Sequence, residues 1–431
     1  MRVCLISSIH PWVNPRLVKE ADLLTSIGHQ VFVITRRLDE CSDAWDEVLL
    51  QGKSWTCSRL NMLRHHSQGR MRWFLTACQS KLALRAYAHV GTTSLAEVGY
   101  YRGFSQVLKL ATAVRADLYI AHTQGALPIA ARAARHHGVP YGFDCEDLLA
   151  EEASDGLRND TLRRAILQLE RAYLAGAQYV TTTSEGMSEY LATVYGIVKP
   201  RVVRNVFPLA ELNGVAPPEQ RVRRQTVELV WISATIGQGR GLEDVLCALP
   251  LLPEGVRLTV IGRMLSSYSK VFSTIVSQFG LQSRVSLQPV VEASGLIRTL
   301  SQFDIGLSLD GNDCLNRSLT ISNKCFQYLQ AGLMVAATDT PGHVEIVKDV
   351  EPALIVYRPG DALDLAEKLS PYVVSRELLI VAQQRAWQAG QQRYNWDTEQ
   401  CQFLSVVPPA VSTIATPMPM PGAADSKIIK V

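Results

Sequence analysis

The chain is 431 residues long, 47% hydrophobic and 19% charged, with a formal net charge of +3. That length predicts two domains of ordinary size, the hydrophobic share suits globular cores, and so small a net charge, without an aromatic-rich basic motif or metal-finger spacing, excludes an obvious nucleic-acid partner. Nine scattered cysteines with no CxxC pair predict buried thiols in a reducing compartment rather than a disulfide framework.

The chain opens on a strand pattern, Arg2–Ser7, with no signal-peptide arrangement and no apolar run of about 18 residues, so the expected location is the cytoplasm, up to the inner face of a membrane. Pro15–Ile27 is a predicted helix with apolar positions at Leu17, Val18, Ala21, Leu23, Leu24 and Ile27, ended by Gly28. Gln30–Thr35 is the next strand. Trp45–Tyr101 mixes basic and aromatic residues with helical apolar spacings and is predicted to be helical in parts. Strands then follow at Leu118–Ala121, Pro140–Asp144, Tyr179–Thr183 and Arg201–Arg204, with helices at Leu127–His137, Leu162–Ala175 and Gly186–Tyr195.

A stretch rich in Gly, Pro and charge (NGVAPPEQRVRRQ) reads as a linker. Beyond it come strands at Val227–Ser233, Arg257–Ile261, Val285–Leu287, Phe303–Leu309, Leu333–Ala337 and Ala353–Val356. The helices are Leu242–Leu249, Tyr268–Phe279, Ala293–Leu300, Asn323–Ala331, Val344–Val347, Ala362–Leu369, Arg376–Arg393 and Asp397–Val406. The predicted division is a first domain at 1–208, a linker at 209–225, a second domain at 226–395, a C-terminal helix at 396–407 and a disordered Pro/Ala/Ser/Thr-rich tail at 408–431. Alternating strands and helices predict α/β halves with doubly wound parallel sheets, whose facing strand ends leave a cleft suited to two substrates.

Polar residues at those strand ends are the site candidates. In WISATIGQGRGL, Gly237, Gly239 and Gly241 let a backbone approach a ligand, and Arg240 offers a planar fork to phosphate; a solvated surface loop is the alternative. Lys324 follows Ser322 and Asn323 at a helix start, where a cation is mildly unfavourable unless an anion offsets it; otherwise it is a surface lysine. Gln327, one turn later, could bond a sugar or ribose hydroxyl or be merely exposed. The Pro341–Glu345 turn offers backbone N–H groups around Gly342, or is a plain helix start favoured by Glu345.

In the first half, Asp144, Glu146 and Asp147 follow a strand, placed to orient a hydroxylated substrate or to cap a helix. His122 ends a strand and could meet a sugar or be structural; Arg16, beside the first strand's end, could meet an acidic acceptor or be solvated. The pairs His65-His66 and His136-His137 do not share one helix face, and no DxD arrangement is placed to hold a divalent ion, so no metal and no other cofactor are expected.

Several of these stretches resemble retaining glycosyltransferases of family 4, with the GT-B fold, over about Met1–Val406. The opening MRVCLISSIHPWVNPRLVKEADLLTSIGHQVFVIT is similar to the family's first strand, acceptor-side loop and helix. LERAYLAGAQYVTTTSEGMSEYLATVYG and VVRNVF resemble its helix, strand, helix and Asn-containing hinge, and VWISATIGQGRGLEDVLCAL its phosphate loop, with Arg240 at the family's lysine position. SNKCFQYLQAGLMVAATDTPGHVEIV resembles its donor signature.

The resemblance implies transfer of a sugar, with retention and without a metal, from a nucleoside-diphosphate sugar on the second domain to an acceptor hydroxyl on the first. Arg240 and Lys324 would neutralise the leaving diphosphate, and His122 would meet the transferred sugar. Gly239, Gly241, Ser322, Asn323, Gln327, Gly342 and Glu345 would hold the donor; Arg16, Asp144 and Glu146 would lie on the acceptor side. The family often carries two glutamates eight positions apart where this chain has Leu319 and Gln327, and an arginine about where it has Thr235. The leading expectation is a transferase of polysaccharide or glycolipid assembly with a saccharide or lipid-linked acceptor, and with peripheral membrane contact through the basic, aromatic Arg59–Tyr101 region. A non-catalytic scaffold and a sugar-nucleotide epimerase of the same fold are the alternatives.

Overall fold

A computed structural model of the protein describes residues 1–65, 67–152, 157–222, 224–311 and 313–409. The predicted tail lies, beyond Pro409, outside the described residues.

The first half runs β1 (Arg2–Ser7), α1 (Pro15–Ser26), β2 (Gln30–Arg37), α2 (Glu40–Leu50), β3 (Thr56–Asn61), α3 (Ser67–Val90), α4 (Thr93–Tyr100), α5 (Phe104–Ala113), β4 (Leu118–His122), α6 (Leu127–His137), β5 (Tyr141–Cys145), α7 (Leu157–Tyr173), β6 (Tyr179–Thr182), α8 (Glu185–Tyr195) and β7 (Arg201–Val202). The second half runs β8 (Val227–Ile236), α9 (Leu242–Ala248), β9 (Val256–Met264), α10 (Ser266–Gln278), β10 (Val285–Gln288), α11 (Ala293–Leu300), β11 (Ile305–Ser308), α12 (Leu315–Leu319), α13 (Asn323–Gln330), β12 (Met334–Thr338), α14 (Pro341–Val350), β13 (Leu354–Tyr357), α15 (Ala362–Val374), α16 (Arg376–Gln392) and α17 (Trp396–Leu404).

Two parallel sheets result, ordered β3-β2-β1-β4-β5-β6-β7 and β10-β9-β8-β11-β12-β13. Their central strands are covered on both faces by helices. They therefore read as unbroken apolar runs rather than alternating ones: β4, β11 and β12 are buried at every residue. In each sheet the strand order reverses once, between β1 and β4 and between β8 and β11. Ligand crevices in such sheets open beyond the strand C-termini at these reversals.

Where the structure departs from the sequence reading, the cause is local. β3 escaped prediction because its residues, TCSRLN, are mostly polar and lie at a sheet edge. α14 begins at Pro341 rather than Val344, because Thr340 Oγ1 accepts from His343 N and proline suits a first helical turn. The linker stretch is tied down: Arg221 donates to the Ala331 and Gly332 carbonyls. α17 returns to the first half, where Trp396 N bonds Phe207 O at 3.0 Å and Leu209 N bonds Asp397 Oδ2 at 2.8 Å.

Candidate functional site

A cavity of about 290 Å³ opens between the two sheets. One wall is Glu146, Asp147, Thr183 and Asn205, just beyond the ends of β5, β6 and β7. The other is Asp310 and the segment from Asn316 to Lys324, beyond β11. Both walls are loops at strand C-termini, so their polar groups converge where the sheets leave room.

The second wall carries two cations: Arg317, exposed and paired with Asp313 at 2.8 Å, and Lys324. The Lys324 Nζ lies 3.0 and 3.2 Å from the two Asp310 carboxylate oxygens, near the first turn of α13. Burial alone would raise the Asp310 pKa, but Lys324 outweighs it and holds the carboxyl down to about 2. The anion expected to offset a lysine at this helix start is thus already present, and an incoming diphosphate would compete with Asp310 for it. Ser322 and Asn323 also line the cavity.

Arg240 is exposed and makes one side-chain bond, from Nη1 to Ser233 Oγ at 3.1 Å. Its loop leans on the end of β11. Gly241 has φ 72°, and a Cβ there would sit 2.4 Å from the Leu309 carbonyl oxygen, so only glycine fits. The next residue after Leu309 is Asp310, the partner of Lys324. The Arg240 loop therefore meets the loop that carries the partner of Lys324, at the β8/β11 reversal, with Gly239 exposed at the tip of the Arg240 loop. Gln327 is half-buried one turn into α13 and does not line the cavity.

On the first wall, Glu146 accepts from Asn205 Nδ2 at 2.7 Å, and Asn205 Oδ1 in turn accepts from Lys19 Nζ at 3.1 Å. Lys19 thereby fixes which way the amide points. Burial, and then the neighbouring Asp147 charge, raise the Glu146 carboxyl to about 7. The cavity so pairs a cation with a carboxyl able to change charge near neutrality.

Four residues expected to contact a ligand are engaged with other protein groups in this structure. Arg16 is fully buried, and its guanidinium grips Asp144 through Nε–Oδ2 at 2.6 Å and Nη2–Oδ1 at 2.8 Å. Asp144 also accepts from Thr181 Oγ1 at 2.6 Å. His122 is 1% exposed, its Nε2 3.1 Å from Glu20 and its Nδ1 3.4 Å from Asp144. Burial would lower the His122 pKa, but the Glu20 and Asp144 carboxylates reverse this and raise it to about 9. None of these three lines the cavity; they form a buried charge network behind it. Glu20, His122 and Asp144 are the kinds of group that ligate metals, but the Arg16 guanidinium already takes up the Asp144 carboxylate.

The fourth correction is Glu345. It bonds Arg204 Nη2 and the Glu185 backbone N–H, each at 2.8 Å, and so clamps α14 to the first half rather than facing a donor. Gly342 likewise packs on backbone: a Cβ there would lie 2.4 Å from the Thr320 carbonyl oxygen. Leu319 packs toward Gly186, and its carbonyl accepts from Ser184 Oγ at 2.6 Å. Asn316 completes the junction, accepting from Leu148 N at 2.7 Å and donating to Asp147 at 3.3 Å. Sequence reasoning passed over Asp310, Asn205 and Asn316; the position of Asp310 just beyond a buried strand was the available signal.

A larger cavity, about 1070 Å³, lies beside the start of β6 and α17. It runs along the β7 edge of the first sheet, and several of its charges are already paired, Lys199 with Glu185, Arg204 with Glu345 and Glu399, and Arg393 with Asp349. The smaller cavity is the better site on chemical grounds.

Residues 13–206 match the model of a glycosyl transferase 4-like domain. No curated protein matches the chain by sequence. Among solved structures, the chain is similar to HepE of Anabaena in complex with UDP (16% identity, TM-score 0.67, 94% of this chain and 99% of that one). It is also similar to sucrose-phosphate synthase from Thermosynechococcus elongatus (14%, TM-score 0.68, 94% and 98%). WaaG, a glycosyltransferase involved in lipopolysaccharide biosynthesis, superposes with 13% identity and a TM-score of 0.61 over 94% and 100% of the chains. Such distant likeness shows the fold, which is GT-B.

Proposed function

For a chain that carries a glycosyl transferase 4-like domain and has the GT-B fold, we propose transfer of a sugar, with retention, from a nucleoside-diphosphate sugar to a hydroxyl of a saccharide or lipid-linked acceptor in polysaccharide or glycolipid assembly. The observation that carries this is the cavity at the strand ends, with Lys324 on one wall and Glu146 on the other. HepE of Anabaena, solved in complex with UDP and with UDP-glucose, supports a nucleotide-sugar donor.

Lys324 and the exposed fork of Arg240 balance the charge that builds on the departing diphosphate, in the role a divalent ion takes elsewhere. Gly239 and Gly241 keep the backbone close to the phosphates, while Ser322 and Asn323, which line the cavity, meet the rest of the donor. Glu146, held by Asn205, orients the acceptor hydroxyl. Titration calorimetry with UDP-, GDP- and ADP-sugars tests the donor half, and a failure of all three to bind ends this reading.

Glu146 adds a pH signature. Its carboxylate form is the stronger acceptor for the hydroxyl and the form that can take its proton, so transfer should rise with pH through about 7 and level off above. Glu146→Gln should remove that inflection and slow transfer by about 10²-fold. An unchanged inflection in the variant assigns the titration to another group.

A second reading, a binding protein that keeps the fold without transfer, is favoured by one feature: Leu319 and Gln327 stand where the resemblance expects carboxylates, and Leu319 is committed to packing. Product analysis by NMR separates the readings, since sugar transfer or donor hydrolysis eliminates the second.

A further inference from the structure

We propose that α3 is a membrane-docking helix that lies flat on an anionic lipid surface. Three observations meet on it. The first is an inverted face. Met71, Phe74, Leu75 and Leu82, at helical spacings that place them on one side with Cys78, are 64%, 59%, 59% and 64% exposed. The side turned to the protein is Gly69, Thr76, Ser80, Ala83 and Tyr87. A surface helix ordinarily has its large apolar residues inward; here four of them face out, as a stripe along a 24-residue helix.

The second is charge. Residues 48–96 contain seven Lys/Arg and no Asp or Glu, in a chain whose net charge is +3, so the rest of the protein is net acidic. Arg70, Lys81 and Arg85 are exposed beside the apolar stripe, and among the described residues none of the three pairs with a carboxylate. Long basic side chains flanking an apolar stripe can reach phosphate groups while the stripe enters the acyl boundary.

The third is what the helix cannot do. No helix among the described residues is long and apolar enough to cross a membrane, so this one lies in the interface plane. The partner that satisfies both the cations and the stripe along the whole helix is an anionic bilayer. This deepens the lipid-linked acceptor reading, which it rests on for its purpose but not for its observations.

The test is sedimentation of the full chain with phosphatidylglycerol/phosphatidylcholine vesicles and with phosphatidylcholine alone, without donor. Binding is expected with the anionic vesicles only and to weaken with salt. Arg70/Lys81/Arg85→Gln should lower it about fivefold per cation removed, near a hundredfold together, and Met71/Phe74/Leu75/Leu82→Ser should abolish it. All seven positions are exposed, so both variants should keep their melting curves and nucleotide binding. Bound vesicles should also shield Cys78 from alkylation while leaving Cys401, exposed on α17, reactive. Absence of binding by the wild type, which leaves the face to an acidic protein or a second copy, overturns the proposal. So does equal binding by the variants. Calorimetry with nucleotide-sugars reads the catalytic proposal separately, so one can fail without the other.

Discussion

Replacing Lys324 with alanine should lower kcat/KM for the donor by about 10²–10³-fold, and nucleoside-diphosphate binding should weaken with it. The argument has two parts. Lys324 supplies a fixed positive charge where negative charge accumulates as the diphosphate leaves, and losing one such group in a partly closed site costs about 3–4 kcal/mol of transition-state stabilisation. The substitution also strips Asp310 of its partner at 3.0 Å. The low pKa of Asp310 depends on that lysine, and the bare carboxylate would then repel the substrate. Lys324→Ala/Asp310→Asn separates the two contributions: it removes the repulsion but not the missing cation. Partial recovery of binding with little recovery of turnover is expected. Full activity in the double variant would show that Lys324 merely neutralises Asp310.

Arg16→Ala should be the most destabilising single change in the first half, by about 3–5 kcal/mol, the range for one partner removed from a buried ion pair. Arg16 is wholly buried, and Asp144 retains only Thr181 and His122 once the guanidinium is gone. Arg16→Met with Asp144→Leu removes both charges and should recover much of the loss, because buried pairs seldom outperform apolar packing. Urea unfolding of the first-half transition, read by circular dichroism, distinguishes the cases. Equal stability of wild type and Arg16→Ala would mean water reaches Asp144. The Arg16 charge also lowers the Glu146 pKa, so the single variant should move the inflection of transfer to higher pH at temperatures where the protein remains folded.

Much of the scaffold was readable because its central strands are covered on both faces and its helices carry one apolar side. Leu127–His137 and Ala293–Leu300 have the bounds that their spacing predicts. Lys324, Ser322, Asn323 and Glu146, which line the cavity, were proposed from a simple rule, polar residues beyond a buried strand. The same rule proposed Arg16, Asp144 and His122, and there it misjudged their setting. A charged residue is usually exposed, and only a carboxylate 128 positions away makes full burial of Arg16 tolerable. Glu345 is a similar case, since its partner Arg204 lies 141 residues earlier.

Apolar periodicity and turn chemistry are local, so the order of strands and helices, the parallel α/β class and the glycine-lined loop follow from the chain itself. Which polar groups neutralise each other is not local. Whether a cation lines a cavity, as Lys324 does, or disappears into a wholly buried pair, as Arg16 does, depended on distant segments meeting. So did the exposure of the apolar face of α3, because periodicity marks a stripe but only packing determines which side of the helix turns inward.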